Sequence, residues 1–154
     1  MVIDAAVNEM AVRAALADVP DPEIPFVSVV DLGMVERVDV RGGRIRVELL
    51  PTFVGCPAID VIRGAVADRL GQFGQPVDVD VTYRVPWTSD RITESGREKL
   101  RRSGFAPPTA DGTTHCPYCG SANVAMDNLF GPTQCRSLFY CRACRQPFEQ
   151  FKAV

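Results

Sequence analysis

The sequence predicts an α+β fold, a small mixed sheet with helices on one face, followed by a C-terminal module organised around four cysteines. Three observations carry this reading. Helical and strand periodicities succeed one another in the first two thirds of the chain as helix, hairpin, helix, strand, helix. Two Cys-x-x-Cys pairs, "CPYC" at Cys116–Cys119 and "CRAC" at Cys141–Cys144, fall together near the end. The stretch "FAPPTADGTT" between them and the first part is proline and small polar residues. The expected division is a first domain at 1–107, a linker at 108–114 and a second module at 115–154.

Residues 4–18 place Val7, Met10, Ala11 and Ala14 at helical spacing and predict an amphipathic helix that ends before Pro20. "DVPDPEIP" (18–25) predicts turn structure, because its three prolines bias their predecessors away from helix. "MVERVDV" and "RIRVELL" alternate apolar and polar residues across "RGG", the pattern of a β-hairpin with Gly42 and Gly43 in its turn. After Cys56, Ile59, Ile62, Val66 and Leu70 form one helical stripe, with Pro57 in the first turn. "PVDVDVTYRV" predicts a strand with Val77, Val79, Val81 and Tyr83 on one face. Residues 91–103 predict a short basic helix capped by Gly104; Thr88 is a candidate N-cap and Trp87 a candidate core residue. In the last forty residues "NVAMDNLF", "CRSLFYC" and "PFEQFKAV" predict three short strands.

With 17 Lys and Arg against 19 Asp and Glu, the net charge is −2. The first 107 residues carry 13 cations and 16 anions, and the remainder 4 and 3. No basic face of the kind that neutralises phosphates is expected, so nucleic acid is not an expected partner. No apolar run reaches the length of a membrane span, and the N-terminus lacks the basic start and apolar block of a secretory signal. The expected compartment is the cytoplasm, where six cysteines point to metal ligation or thiol chemistry more than to disulfides.

Two Cys-x-x-Cys turns joined by a hairpin match the arrangement that encloses a tetrahedral ion, with Cys116, Cys119, Cys141 and Cys144 as ligands. Four thiolates leave no open position, so the expected role is a structural zinc ribbon; iron suits the same ligand set, and two disulfides are the alternative. Cys135 reads equally as a small buried hydrophobe or a spare thiol, and His115 as a solvated neighbour of the first knuckle or a substitute ligand. Cys56, at the predicted start of a helix, would feel the positive end of the helix dipole, which lowers a thiol pKa. Burial as an ordinary apolar residue is the other reading of that position.

In order, "DPEIPFVSVVDLGMV", "PTFVGCPAIDVI", "VPWTSDRITESGREKL" and "GFAPP" resemble the small domain of metal–sulfur cluster assembly proteins, the SufT-like family. With the ribbon behind it, residues 10–154 resemble an accessory-protein family of bacterial phenylacetate degradation. Leu50 and Val85 stand where many relatives have threonine and proline, and neither change removes a ligand. The resemblance implies a non-enzymatic factor that helps assemble or insert iron–sulfur clusters. It implies Cys56 as the functional thiol, binding iron or a cluster transiently, with Asp21 and Glu23 on the same surface. Turn capping is the plainer role for those two acids. The implied client is the phenylacetyl-CoA monooxygenase (epoxidase) system, above all its iron–sulfur reductase component. One thiolate is a weak ligand set, so a homodimer or the client would have to complete the site. The alternative is a docking subunit of the oxygenase without metal transfer. A thiol enzyme is disfavoured, since no base accompanies Cys56.

Overall fold

The computed structural model describes residues 6–152. Helix α1 (Glu9–Leu16) starts where the Asn8 side chain accepts a 2.9 Å hydrogen bond from the Ala11 amide, satisfying a helix donor that would otherwise lack a partner. Residues 4 and 5 of the predicted helix lie outside the described residues. The buried side of α1 is Val12, Ala15 and Leu16, one position round from the predicted stripe. Met10 is 78% exposed, and Val7 and Ala11 sit half-buried at the margin. Both stripes have helical spacing; the one ending in the larger Leu16 buries more apolar surface and takes the core.

Strands β1 (Val35–Arg41) and β2 (Arg44–Leu49) form the expected hairpin. Its turn needs positive φ at both central positions, and Gly42 (57°) and Gly43 (69°) supply it without a side-chain penalty. Strand β3 (Val77–Val81) runs parallel to β2, with Val47 opposite Val38 on one side and Val79 on the other. Ile45, Val47 and Leu49 are fully buried in the same core as α2 (Ile59–Gly71), which packs on β3 and whose stripe Ile62, Val66 and Leu70 matches the expected one. The opposite sheet face carries Arg44–Asp78 at 2.7 Å and Arg84–Glu48 at 2.6 Å and faces water. Apolar residues on one side and ion pairs on the other explain why the helices cover a single face. Tyr83 is not on the strand's inner face: β3 has already ended at Val81, and the ring is exposed.

The 18 residues between α1 and β1 (17–34) contain no helix or strand, yet Val19, Ile24, Val27, Val29, Leu32 and Met34 are all buried. Contacts from the other end of the domain hold this loop. Trp87 Nε1 donates to the Leu32 carbonyl (2.7 Å), Arg91 Nε to that of Gly33 (2.9 Å), and Lys99 Nζ to Asp31 Oδ2 (2.7 Å). Thr93, not Thr88, caps α3 (Glu94–Arg102): its Oγ1 accepts from the Gly96 amide at 3.0 Å, whereas Thr88 precedes a separate 3₁₀ turn at Ser89–Arg91. Gly104 follows the helix at φ 82°, as expected of a C-terminal glycine.

Asp31 is the buried charge of this arrangement. Burial pushes its carboxyl up, but the Lys99 ammonium and the Ser28 amide and hydroxyl outweigh that and hold it below its ordinary value. A carboxylate depressed in the folded state contributes stability above its unfolded pKa of about 4, and that contribution is lost as pH falls through the folded value. Asp31→Asn is therefore expected to cost about 1–3 kcal/mol at neutral pH and to flatten the loss of stability on acidification below about pH 4. Urea unfolding across that range measures both; an unchanged acid limb would show that Asp31 is not the titrating group.

A second sheet has the order β4-β7-β6-β5, built from β4 (Phe105–Ala106), β5 (Val124–Asn128), β6 (Arg136–Cys141) and β7 (Pro147–Phe151). Phe105 and Ala106, directly after α3, pair in parallel with Glu149 and Gln150 of β7. Among the described residues its own buried cluster is Ala106, Cys116, Phe139, Cys141 and Phe148. Phe151 turns the other way and joins the main core, its ring 5.7 Å from that of Trp87. The two sheets therefore share a packed seam.

Candidate functional site

The ligand atoms of Cys116, Cys119, Cys141 and Cys144 all lie within 4.8 Å of one another. The sulfurs of Cys116 and Cys144, and those of Cys119 and Cys141, are 3.6 Å apart. Tetrahedral zinc with bonds of about 2.3 Å spaces its sulfurs by about 3.8 Å, so the set fits the ion. None of the four is drawn to disulfide distance in this structure.

The two knuckles share one construction. Cys116 N donates to Ser121 O and Gly120 N to Cys116 O; Cys141 N donates to Gln146 O and Arg145 N to Cys141 O, all at 2.9 Å. Gly120 (φ 75°) and Arg145 (φ 61°) occupy the same left-handed position, and the arginine does so at a cost of roughly 1 kcal/mol. The Cys144 and Ala143 amides aimed at Cys141 lower its thiol to about 7, while burial and neighbouring thiols push Cys144 up to about 12. Four thiols this close cannot all ionise without a cation to compensate them. His115 is exposed and stands apart from the ligand set, its Nε2 3.5 Å from Thr113 Oγ1.

Cys56 sits on the loop between β2 and α2, where its amide donates to Phe53 O at 3.1 Å. Helix α2 begins three residues later, at Ile59, and the expected dipole effect is overturned. Burial pushes the Cys56 thiol up; the Ala58 amide opposes this, but negative charge on Glu23, Cys135 and Asp21 reinforces it. The thiol lines a cavity of about 280 Å³ together with Glu23, Phe53, Phe130, Thr133 and Cys135. The structure therefore brings Cys56 and Glu23 together. Asp21 does what the plainer reading expects: Oδ1 accepts from the Glu23 and Ile24 amides at 2.8 and 2.9 Å and shapes the turn that presents Glu23. Trp87 is core, 5% exposed, and Thr88 lies outside the cavity lining.

Sequence reasoning missed that Cys135 belongs to this cavity. It precedes β6 and packs against the main core, not the ribbon's cluster. Its position outside both Cys-x-x-Cys pairs was the available signal. The aromatic rim, Phe53 and Phe130, had none, because the two residues are 77 positions apart and meet only through the fold.

A family model described as iron–sulfur cluster assembly protein matches residues 9–83, and one described as the PaaD zinc beta ribbon domain matches residues 102–152. A protein of Escherichia coli (strain K12) named as a subunit of 1,2-phenylacetyl-CoA epoxidase is 36% identical over 149 residues, covering 92% of this chain and 90% of its own. The chain belongs to the PaaD family. Two solved structures share the first part of this family's fold. A domain of unknown function from Bacillus anthracis has a TM-score of 0.55 at 27% identity and covers 60% of this chain and 90% of its own. A conserved hypothetical protein of Thermotoga maritima has a TM-score of 0.53 at 28% identity, with 61% and 94% covered. The PaaD ribbon model and the four clustered thiols together support zinc at Cys116, Cys119, Cys141 and Cys144.

Proposed function

We propose that this protein is a non-catalytic accessory factor that assembles or inserts iron–sulfur clusters in the phenylacetyl-CoA monooxygenase (epoxidase) system, with the iron–sulfur reductase component as client. The observation that carries the reading is Cys56 on the wall of an open cavity with Glu23 beside it, within the region matched by the cluster-assembly model. No histidine base lines the cavity to activate the thiol for attack, whereas a bound cation displaces the thiol proton itself, so the arrangement suits metal binding better than covalent catalysis. Residues 1–107 would handle the cluster, and residues 115–154, beyond the 108–114 linker, would hold zinc structurally. The reducing cytoplasm is the compartment in which these thiols stay available.

Among the described residues, no helix is long and apolar enough to cross a membrane. A second reading, a docking subunit without metal transfer, is favoured by the relative's name as an epoxidase subunit and by the exposed Phe53 and Phe130 at the cavity rim.

The test is to produce the reductase component with the wild-type protein or with Cys56→Ser and to assay iron and acid-labile sulfide in the purified client. Loss of both with the variant is the expected result. Full cluster content with Cys56→Ser, beside loss when the whole protein is omitted, would move the function to docking.

A further inference from the structure

One thiolate cannot hold a cluster by itself, and the proposed function leaves open what completes the site. We propose that Cys135 is the second protein ligand, so that the cluster-assembly domain and the ribbon together form one two-thiol site for the iron of an iron–sulfur cluster. This inference rests on the cluster-handling reading above and supplies the ligand set it lacks.

Three observations point to it. Cys56 and Cys135 arrive from segments 79 residues apart and line the same cavity, with the Glu23 carboxylate as a third donor. Both pack against the margin of the same core. The ribbon also fixes Cys135 in place. Its carbonyl accepts from Lys152 N at 2.8 Å, its sulfur lies 3.1 Å from Thr133 Oγ1, and the adjoining Arg136 is tied to Thr133 Oγ1 (2.9 Å) and Glu149 Oε2 (2.8 Å). Cys135 thus depends on β6 and β7, the strands that the four-thiol centre organises. That dependence gives the fused ribbon a purpose: it carries a ligand to Cys56.

The donors favour a soft cation. Two sulfurs with one carboxylate suit ferrous iron or cluster iron, whereas magnesium and calcium prefer all-oxygen sets. Cys56, Cys135 and Glu23 are not drawn into a tight set like the ribbon cysteines, which are the only such group among the described residues. A looser pair spans a cluster better than a bare ion, and two protein thiolates leave positions open for a client's own ligands. Binding is a proton exchange: each S–H bond breaks as an iron–sulfur bond forms, two protons pass to solvent, and no electron moves.

The test is anaerobic reconstitution of the full-length protein, with zinc in the ribbon, using ferric iron and sulfide with a thiol reductant. Wild type, Cys56→Ser and Cys135→Ser are compared, and iron, sulfide and zinc are counted in each sample. The expected result is iron and sulfide in the wild type, loss of both from either variant, and unchanged zinc. In loaded wild type, alkylation of Cys56 and Cys135 should be blocked and should return when the iron is chelated. If Cys135→Ser retains iron and sulfide while Cys56→Ser loses them, the second-ligand proposal is wrong and the Cys56 carrier stands. A wild type that takes up no iron overturns both. If Cys135→Ser also loses zinc, the wild-type labelling decides, and a freely alkylated Cys135 in loaded protein overturns the proposal.

Discussion

Replacing Cys144 by serine, or stripping the metal with a strong chelator, is expected to unfold the sheet of β4 to β7 while leaving β1 to β3 folded. The reason is the size of the second core. Among the described residues its buried cluster has five members, and two of them, Cys116 and Cys141, belong to the four-thiol set. Apart from Phe151, which packs into the main core, the remaining apolar burial is essentially Phe139 stacked on Phe148, with ring centroids 5.6 Å apart, plus Ala106. Two buried phenylalanines contribute about 3–6 kcal/mol, whereas fixing each residue's backbone costs about 1–2 kcal/mol. Some forty residues cannot be ordered on that basis, so zinc held by the four thiolates is expected to be the largest single stabilising contribution to this sheet, about 10–16 kcal/mol.

The direction with pH follows from proton competition. Thiols must lose their protons to bind the ion, so the ribbon loosens as pH falls. Amide hydrogen exchange distinguishes the outcomes: protection lost in β5 to β7 and kept in β2 and β3 is expected, and protected β6 amides in zinc-free protein would contradict the argument. Cys56 should then be alkylated faster, because the cavity wall formed by residues 130–135 has gone.

The second large effect is expected at Gly33. Its φ is 65°, and a Cβ added there would lie 2.2 Å from the Arg91 carbonyl oxygen and 2.5 Å from the Arg91 Cβ. Left-handed strain of about 1–3 kcal/mol and overpacking of about 1–3 kcal/mol act together. Gly33→Ala should therefore destabilise the protein by about 3–5 kcal/mol, read as a lowered urea midpoint at unchanged slope. Because Gly33, with Asp31 and Leu32, is a point where the C-terminal end of the domain grips the 17–34 loop, the same change should shift Glu23 away from the cavity. Gly64→Ala is the matched control. That glycine lies inside α2 with nothing within 4 Å of the added Cβ, so about 0.5–1 kcal/mol of stabilisation is expected. Equal effects at the two sites would remove the steric argument.

The regular elements are legible because short-range physics writes them into the chain. The hairpin reads from alternation around Gly42 and Gly43, α2 from Ile62, Val66 and Leu70, and the metal site from two cysteine pairs whose spacing lets both sulfurs of each turn face one ion. The face of α1 is not legible in the same way, because two stripes fit the same period and only the packing partner chooses between them. Thr93 displaces Thr88 as the cap because a separate 3₁₀ turn intervenes.

At the Cys56 thiol, chain position alone indicates a helix start and a lowered pKa. The fold sets desolvation and nearby negative charge against one amide, and reverses the sign. Local pattern along the chain was enough to specify the α+β class, the four-thiol set and the family. That Asp21 shapes a turn while Glu23 lines the Cys56 cavity, and that Cys135 leaves the ribbon to join them, emerges only once the chain is packed. Period and spacing act over a few residues, whereas burial and charge at Cys56 are sums over segments that meet only when the two sheets pack together.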